Sequence, residues 1–247
     1  DADAAAAAQE AFTEFCRLDA KLVAAIREGA RRLAVPEDVA LLAVLGVTLA
    51  WFEGHRTEPF VTIVPQRDGD AEQDMVGLLA DFRRVTMHTA GLHFAAAALL
   101  LHRTVRERRW AETGLATQSD VPMVNCMWTD FDSPHGFVQK VTPSWSQQRT
   151  RYPLQVAVEQ SSPDVWHLTA MFRNAKYPPA ERDRFFFLLE ESLFRLCDNP
   201  LDLLWPAPNL PHQEDAQPVD EAVKTDDLLR PTGLPDSHTR TCNVEKS

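Results

Sequence analysis

The chain has 247 residues, with 25 Lys and Arg against 36 Asp and Glu, a formal net charge of −11. Hydrophobic residues at 45% and charged residues at 25% are ordinary globular proportions and exclude a wholly disordered chain. So acidic a balance lacks the cationic face that neutralises phosphates, which excludes general nucleic-acid binding.

The length allows one large domain or two small ones. Composition divides the chain into an Ala-rich segment over 1–11, a core zone over 12–205 and a Pro-rich, acidic stretch over 206–247. The last stretch holds too little apolar area to offset chain entropy, and it reads as an extended tail that lies along a partner. The opening Asp1-Ala2-Asp3 and five alanines read as a processed terminus, a linker or a fragment boundary.

In chain order, Phe12 to Leu18 reads as a strand. Asp19 caps a helix with Leu22, Val23, Ile26, Ala30 and Leu33 at helical spacing. Val35-Pro36-Glu37-Asp38 restarts a second helix to about Glu53, with Pro36 suited to its first turn. That helix is apolar nearly all round, the mark of burial on several sides. Pro59 to Val64 is an interior strand, Arg67 to Asp74 a polar loop and Leu78 to His88 another strand. Residues 93–112 form a third helix with a basic end. Phe94 to Leu101 within it falls far short of the roughly 20 apolar residues that span a bilayer. Val121–Thr129, Phe137–Trp145, Leu154–Glu159 and Val165–Arg173 read as four strands. Pro178-Pro179 opens a last helix, with Phe185, Leu188, Leu189, Ser192, Leu193 and Leu196 on one face, and Asn199-Pro200 stops it. The expected class is α/β, a mixed β-sheet with flanking helices.

Four segments in this order resemble the C-terminal half of a nonribosomal-peptide condensation domain, of the chloramphenicol-acetyltransferase-like acyltransferase superfamily. They are Leu18-Asp19-Ala20-Lys21-Leu22 with Val35-Pro36-Glu37-Asp38; Phe60 to Arg67; Asp74 to Phe82; and Val121-Pro122-Met123-Val124-Asn125. The likeness spans about 12–200 and implies a chloramphenicol-acetyltransferase-like half-domain. In that superfamily, chemistry depends on an HHxxxDG motif in the N-terminal half. The eight histidines here (His55, His88, His93, His102, His135, His167, His212 and His238) include no adjacent pair. The resemblance therefore implies a lobe with no catalytic residue of its own. It would act as an interaction or scaffold subunit, a pseudoenzyme lobe with protein partners in a larger complex. The alternative is the C-terminal lobe of an acyltransferase that forms an amide or ester from an acyl thioester, its His-bearing lobe being on another chain or missing from this one. No cofactor is expected except, under that alternative, an acyl thioester carried on phosphopantetheine or CoA.

Candidate positions follow from the resemblance and the residues. Gly77, Asp81, Asn125 and Trp128 are candidates for the substrate tunnel or lobe interface. Gly77 beside a strand signals a close backbone approach, a bulge or a plain turn. Arg67 and Asp81 are a candidate structural ion pair. Phe185-Phe186-Phe187 points aromatics in three helix directions, so at least one is expected to face a second chain or a lobe, and all three are partner-interface candidates. Trp128, Phe131, Phe137 and Trp145 line a tunnel, form an interface or belong to the core. Arg103, Arg106, Arg108 and Arg109 form a solvated helix end or a phosphate site. His88 and His93 flank a strand end, with nothing to show hydrogen-bond reach to a substrate proton. His135, near Asp130 and Asp132, lacks metal-ligand spacing, and no metal is expected. Ser133, Ser144 and Ser146 lack a GxSxG elbow. Cys16, Cys126, Cys197 and Cys242 have no CxxC spacing, so idle thiols in a reducing compartment are expected, cytoplasm or an organelle interior.

Overall fold

A computed structural model describes residues 11–65, 80–106, 120–127, 150–208 and 239–241. The described strands are β1 (Ala11–Leu18), β2 (Thr57–Pro65), β3 (Ala80–His88), β4 (Met123–Met127), β5 (Leu154–Ser162), β6 (Val165–Arg173) and β7 (Thr239–Thr241). The helices are α1 (Ala20–Leu33), α2 (Glu37–Phe52), α3 (Phe94–Arg106) and α4 (Pro179–Cys197). The strands form one mixed sheet in the order β3-β2-β4-β5-β6-β1-β7. Pairs β2/β4, β4/β5 and β1/β7 are parallel. Pairs β2/β3, β5/β6 and β1/β6 are antiparallel.

Local chemistry sets the helix ends. The Asp19 side chain accepts the Leu22 N–H at 2.9 Å and starts α1. Ala34 ends it in the left-handed region, at φ 53°, and its N–H reaches the Ala30 and Arg31 carbonyls. Pro36 is the N-cap of α2, one position earlier than its expected first-turn place; Glu37 and Asp38 fill that turn and favour the helix dipole. His93 accepts the Ala96 N–H at 3.1 Å through Nδ1 and starts α3.

All of α2 from Val39 to Phe52 is buried. It touches strands β2, β3 and β4 and the three other helices. Gly46 permits the close approach: a Cβ there would lie 2.7 Å from Met87 Cε and 3.1 Å from Phe60 Cε1. The Val44 carbonyl accepts hydroxyls from Thr48 within α2 and from Ser192 of α4, both at 2.8 Å. Trp51 donates its indole N–H to the Leu204 carbonyl at 2.6 Å, fastening the segment after α4 to the core.

The expected helix over 93–112 is described as Phe94–Arg106, and 107–112 lie outside the described residues. The expected strand Phe137–Trp145 and loop Arg67–Asp74 also lie outside them. One strand was not expected: Thr239–Thr241, within the stretch read as a partner-seeking tail, pairs with β1 of the same chain.

The partner-facing reading of Phe185 and Phe186 is corrected. Both are buried in the core, and Phe187 is half-buried against it. Phe185 packs edge-to-face on Phe172 of β6 at 5.4 Å, on Phe52 of α2 at 5.5 Å and on Phe186 at 5.4 Å. With α2 on one side and the sheet on another, α4 buries a wider arc than a single stripe holds. Cys16 also departs from the reading as an idle thiol: it is disulfide-bonded.

Candidate functional site

Successive strand residues point to opposite faces. Phe60, Val85, Val124, Val156, Leu168 and Phe172 join the core with the helices. Their neighbours Val61, Met123, Ala157 and Met171 are buried but lie outside that cluster, on the opposite face. Among the described residues no helix covers that face.

Polar side chains form files across it. Asn125 on β4, 8% exposed, stands beside Ala157 on β5, which pairs with Thr169 on β6, 3% exposed. Two residues further along β5, Glu159 pairs with His167 of β6, which pairs with Arg17 of β1. Neighbouring strands lie about 4.8 Å apart, so Glu159, His167 and Arg17 make a polar file across three strands. Glu159 and His167 are half-buried and Arg17 is exposed. His167 Nδ1 is a buried nitrogen with no hydrogen-bond partner among the described residues. This file lies toward the carboxyl ends of parallel β4 and β5, where open α/β sheets receive ligands.

Elsewhere several ionisable groups among the described residues are buried or paired within the fold. Burial pushes the Cys126 thiol above its ordinary range and the Cys197 thiol up to about 11, so neither is a thiolate near neutral pH. Burial lowers His102, with the Arg106 charge adding to it. The Tyr177 hydroxyl, raised mainly by burial, donates to Glu53 Oε1 at 2.5 Å, and Lys176 Nζ donates to the same oxygen at 3.0 Å. His55 Nδ1 lies 2.7 Å from Glu58 Oε2. The Arg182 guanidinium is buried, lowered mainly by that burial, and stacks 4.2 Å above the Phe12 ring while its Nη2 reaches Asn174 Oδ1 at 3.0 Å. These are structural pairings, and none joins a nucleophile to a base. No cluster of three or more metal-ligating side chains occurs among the described residues.

Of the expected positions, Asn125 is brought to the helix-free face. Asp81 has its backbone paired with Val64 on β2; its side chain lies outside the described residues. Gly77, Trp128 and Arg67 lie outside them too, and with Arg67 the expected ion pair to Asp81. So do Phe131, Phe137, Trp145, His135, Ser133, Ser144, Ser146, Arg108 and Arg109. Arg103 and Arg106 are exposed at the end of α3. His93 serves as a helix cap and His88 is exposed at the end of β3. The Glu159–His167–Arg17 file went unread in the sequence. Its signal was the period-two alternation in Leu154–Glu159 and Val165–Arg173, where polar residues fall on one side only.

No protein-family model matches the sequence, and no curated protein matches it. Solved structures do. The condensation domain that mediates chain release from the enacyloxin polyketide synthase matches over 90% of this chain and 44% of its own, at 16% identity and TM-score 0.56. The condensation domain of the Monacolin K polyketide synthase MokA matches over 79% of this chain and 49% of its own, at 16% identity and TM-score 0.60. The PapA2 acyl transferase matches over 77% and 45%, at 14% identity and TM-score 0.57. The chain thus has an α/β, condensation-domain-like fold and spans about half the length of the structures it matches.

Proposed function

We propose that this chain serves as the C-terminal lobe of a condensation-type fold and acts without a catalytic residue of its own, as an interaction subunit that holds a second lobe. The observation that carries this reading is the pairing of a half-length match with an absence. Each neighbour is about twice the matched length, and among the described residues no nucleophile is joined to a base. Fold likeness alone does not assign chemistry, so the reading rests on the side chains as well.

A second reading has its own support. The Glu159–His167–Arg17 file at the carboxyl ends of β4 and β5 is a polar surface suited to orienting a substrate. In that case the chain forms one wall of an acyltransferase cleft. A histidine-bearing lobe supplies the base, and an amine or hydroxyl attacks an acyl thioester on phosphopantetheine or CoA.

The test is an assay of the purified chain with an acyl-phosphopantetheine thioester and an amine acceptor. No amide above the buffer rate is expected from the chain alone, and turnover by the chain alone overturns both readings. Adding a lobe that carries HHxxxDG and recovering thioester-dependent product selects the second reading. A stable complex with that lobe and no product selects the first.

A further inference from the structure

We infer that the outer face of α3 is the twofold interface of a weak homodimer, in which α3 of one copy lies antiparallel to α3 of a second and its arginine end meets the aspartate end of that copy. Phe94, Ala95, Ala97, Ala98 and Leu101 bury one side of α3. Leu99, Leu100, Arg103 and Arg106 recur at spacings of three and four and share the opposite side. Leu99 and Leu100 are each 42% exposed. Arg103 and Arg106 are exposed too, and neither holds an acidic partner among the described residues.

The other end of the helix carries the opposite charge. The Ala95 N–H donates to the Pro200 carbonyl and the Leu204 N–H to the Leu92 carbonyl, both at 2.9 Å, and His93 bridges Leu203. These bonds hold the 200–204 segment at the start of α3. Leu201 and Leu203 are exposed there, as are Asp198 and Asp202. Asp202 pairs with Arg195 and still keeps 53% of its side chain exposed. Arg195 offsets one of the two acidic charges, and the end stays net negative.

Along the roughly 20 Å of α3 the surface therefore runs from acidic and apolar, through two leucines at mid-helix, to basic. Such a surface complements itself only when two copies run antiparallel. A parallel copy would set arginine against arginine. In a twofold contact each pair occurs twice, and Leu99 and Leu100 fall beside the axis. Antiparallel helices also bring opposite ends of their dipoles together. One helix pair is a small contact, so association is weak and depends on concentration.

Sedimentation equilibrium of the full chain tests this between about 5 and 300 μM. Salt at about 150 mM screens the −11 charge of each copy. A monomer–dimer equilibrium that stops at two copies is expected. Arg103→Glu with Arg106→Glu should weaken it about tenfold or more, because the symmetry counts each reversal twice. Asp202→Arg should weaken it similarly, and the triple variant should bring it back to within about threefold of the native value. Leu99→Ser with Leu100→Ser should also weaken it, which keeps the test usable if a charge variant fails to fold. A dimer indifferent to these changes, or a triple variant no tighter than its parents, overturns the inference. So does mass that grows beyond two copies, which requires a non-closing contact elsewhere. A chain monomeric throughout also overturns it, and leaves the leucine face to a different polypeptide.

Discussion

At the residue scale, Glu58 shows how environment outweighs partner. Its carboxyl lies above the ordinary carboxylate range because burial, first, opposes the His55 hydrogen bond; the Glu53 charge pushes the same way as burial, and Lys176 opposes it. A raised folded-state value means that the folded chain holds this proton more tightly than the unfolded one. The stability Glu58 contributes is therefore fully present below the unfolded value, about 4.3, and is lost as pH rises through the folded one. Glu58→Gln keeps an acceptor for His55 and removes the titration. Its urea midpoint relative to the native protein is expected to rise between about pH 4 and pH 7. A difference that falls over that range would assign the larger effect to the His55–Glu58 ion pair. Asn125 was the one legible site position on the helix-free face. His167 and Glu159 were equally visible as residues, but their pairing is a matter of register, which no single strand discloses.

At the element scale, the caps were readable because they are local. Asp19 before an apolar-periodic run announced α1, and its hydrogen bond to Leu22 is where that signal places it. The other end of α1 holds a strained residue. Ala34 is exposed at φ 53°, where an L-residue other than glycine costs roughly 1 kcal/mol. Ala34→Gly is expected to stabilise the chain by up to about 1 kcal/mol, read as a raised urea midpoint with an unchanged slope. A loss of stability would mean that glycine's extra freedom in the unfolded chain outweighs the relief of strain. For α4, the apolar stripe was found but its width was not. Phe186 lies off the expected face and still packs on Phe172 at a centroid distance of 6.3 Å. The helix sits in a corner between α2 and the sheet, and that corner is set by long-range contacts.

At the scale of the whole molecule, the exposed apolar residues carry the next prediction. Leu201 and Leu203 are 73% and 61% exposed. They lie beside the start of α3, to which Pro200 and Leu204 are tied by backbone bonds through Ala95 and Leu92. Leu99 and Leu100 of α3 add further exposed apolar surface. The purified chain is expected to self-associate, with light scattering showing mass above the monomer at about 100 μM. Leu201→Ser with Leu203→Ser should shift it toward the monomer while leaving its unfolding free energy within about 0.5 kcal/mol of the native value. A native chain that stays monomeric at that concentration would count against this surface as a contact.

The sequence by itself determined the α/β class, the helix starts at Asp19 and Pro36, the buried α2 and the strand-forming runs. Those are properties of local propensity and hydrophobic period, carried by neighbouring residues. It also excluded a doubled histidine, since that motif is a matter of residue identity alone. Only the tertiary structure decided the strand order, the return of Thr239–Thr241 to β1 and the burial of Phe185 and Phe186 together. It alone assembled Glu159, His167 and Arg17 into one file. Each of these joins residues far apart in the chain, and which far partners meet is settled by how the whole apolar surface is buried at once.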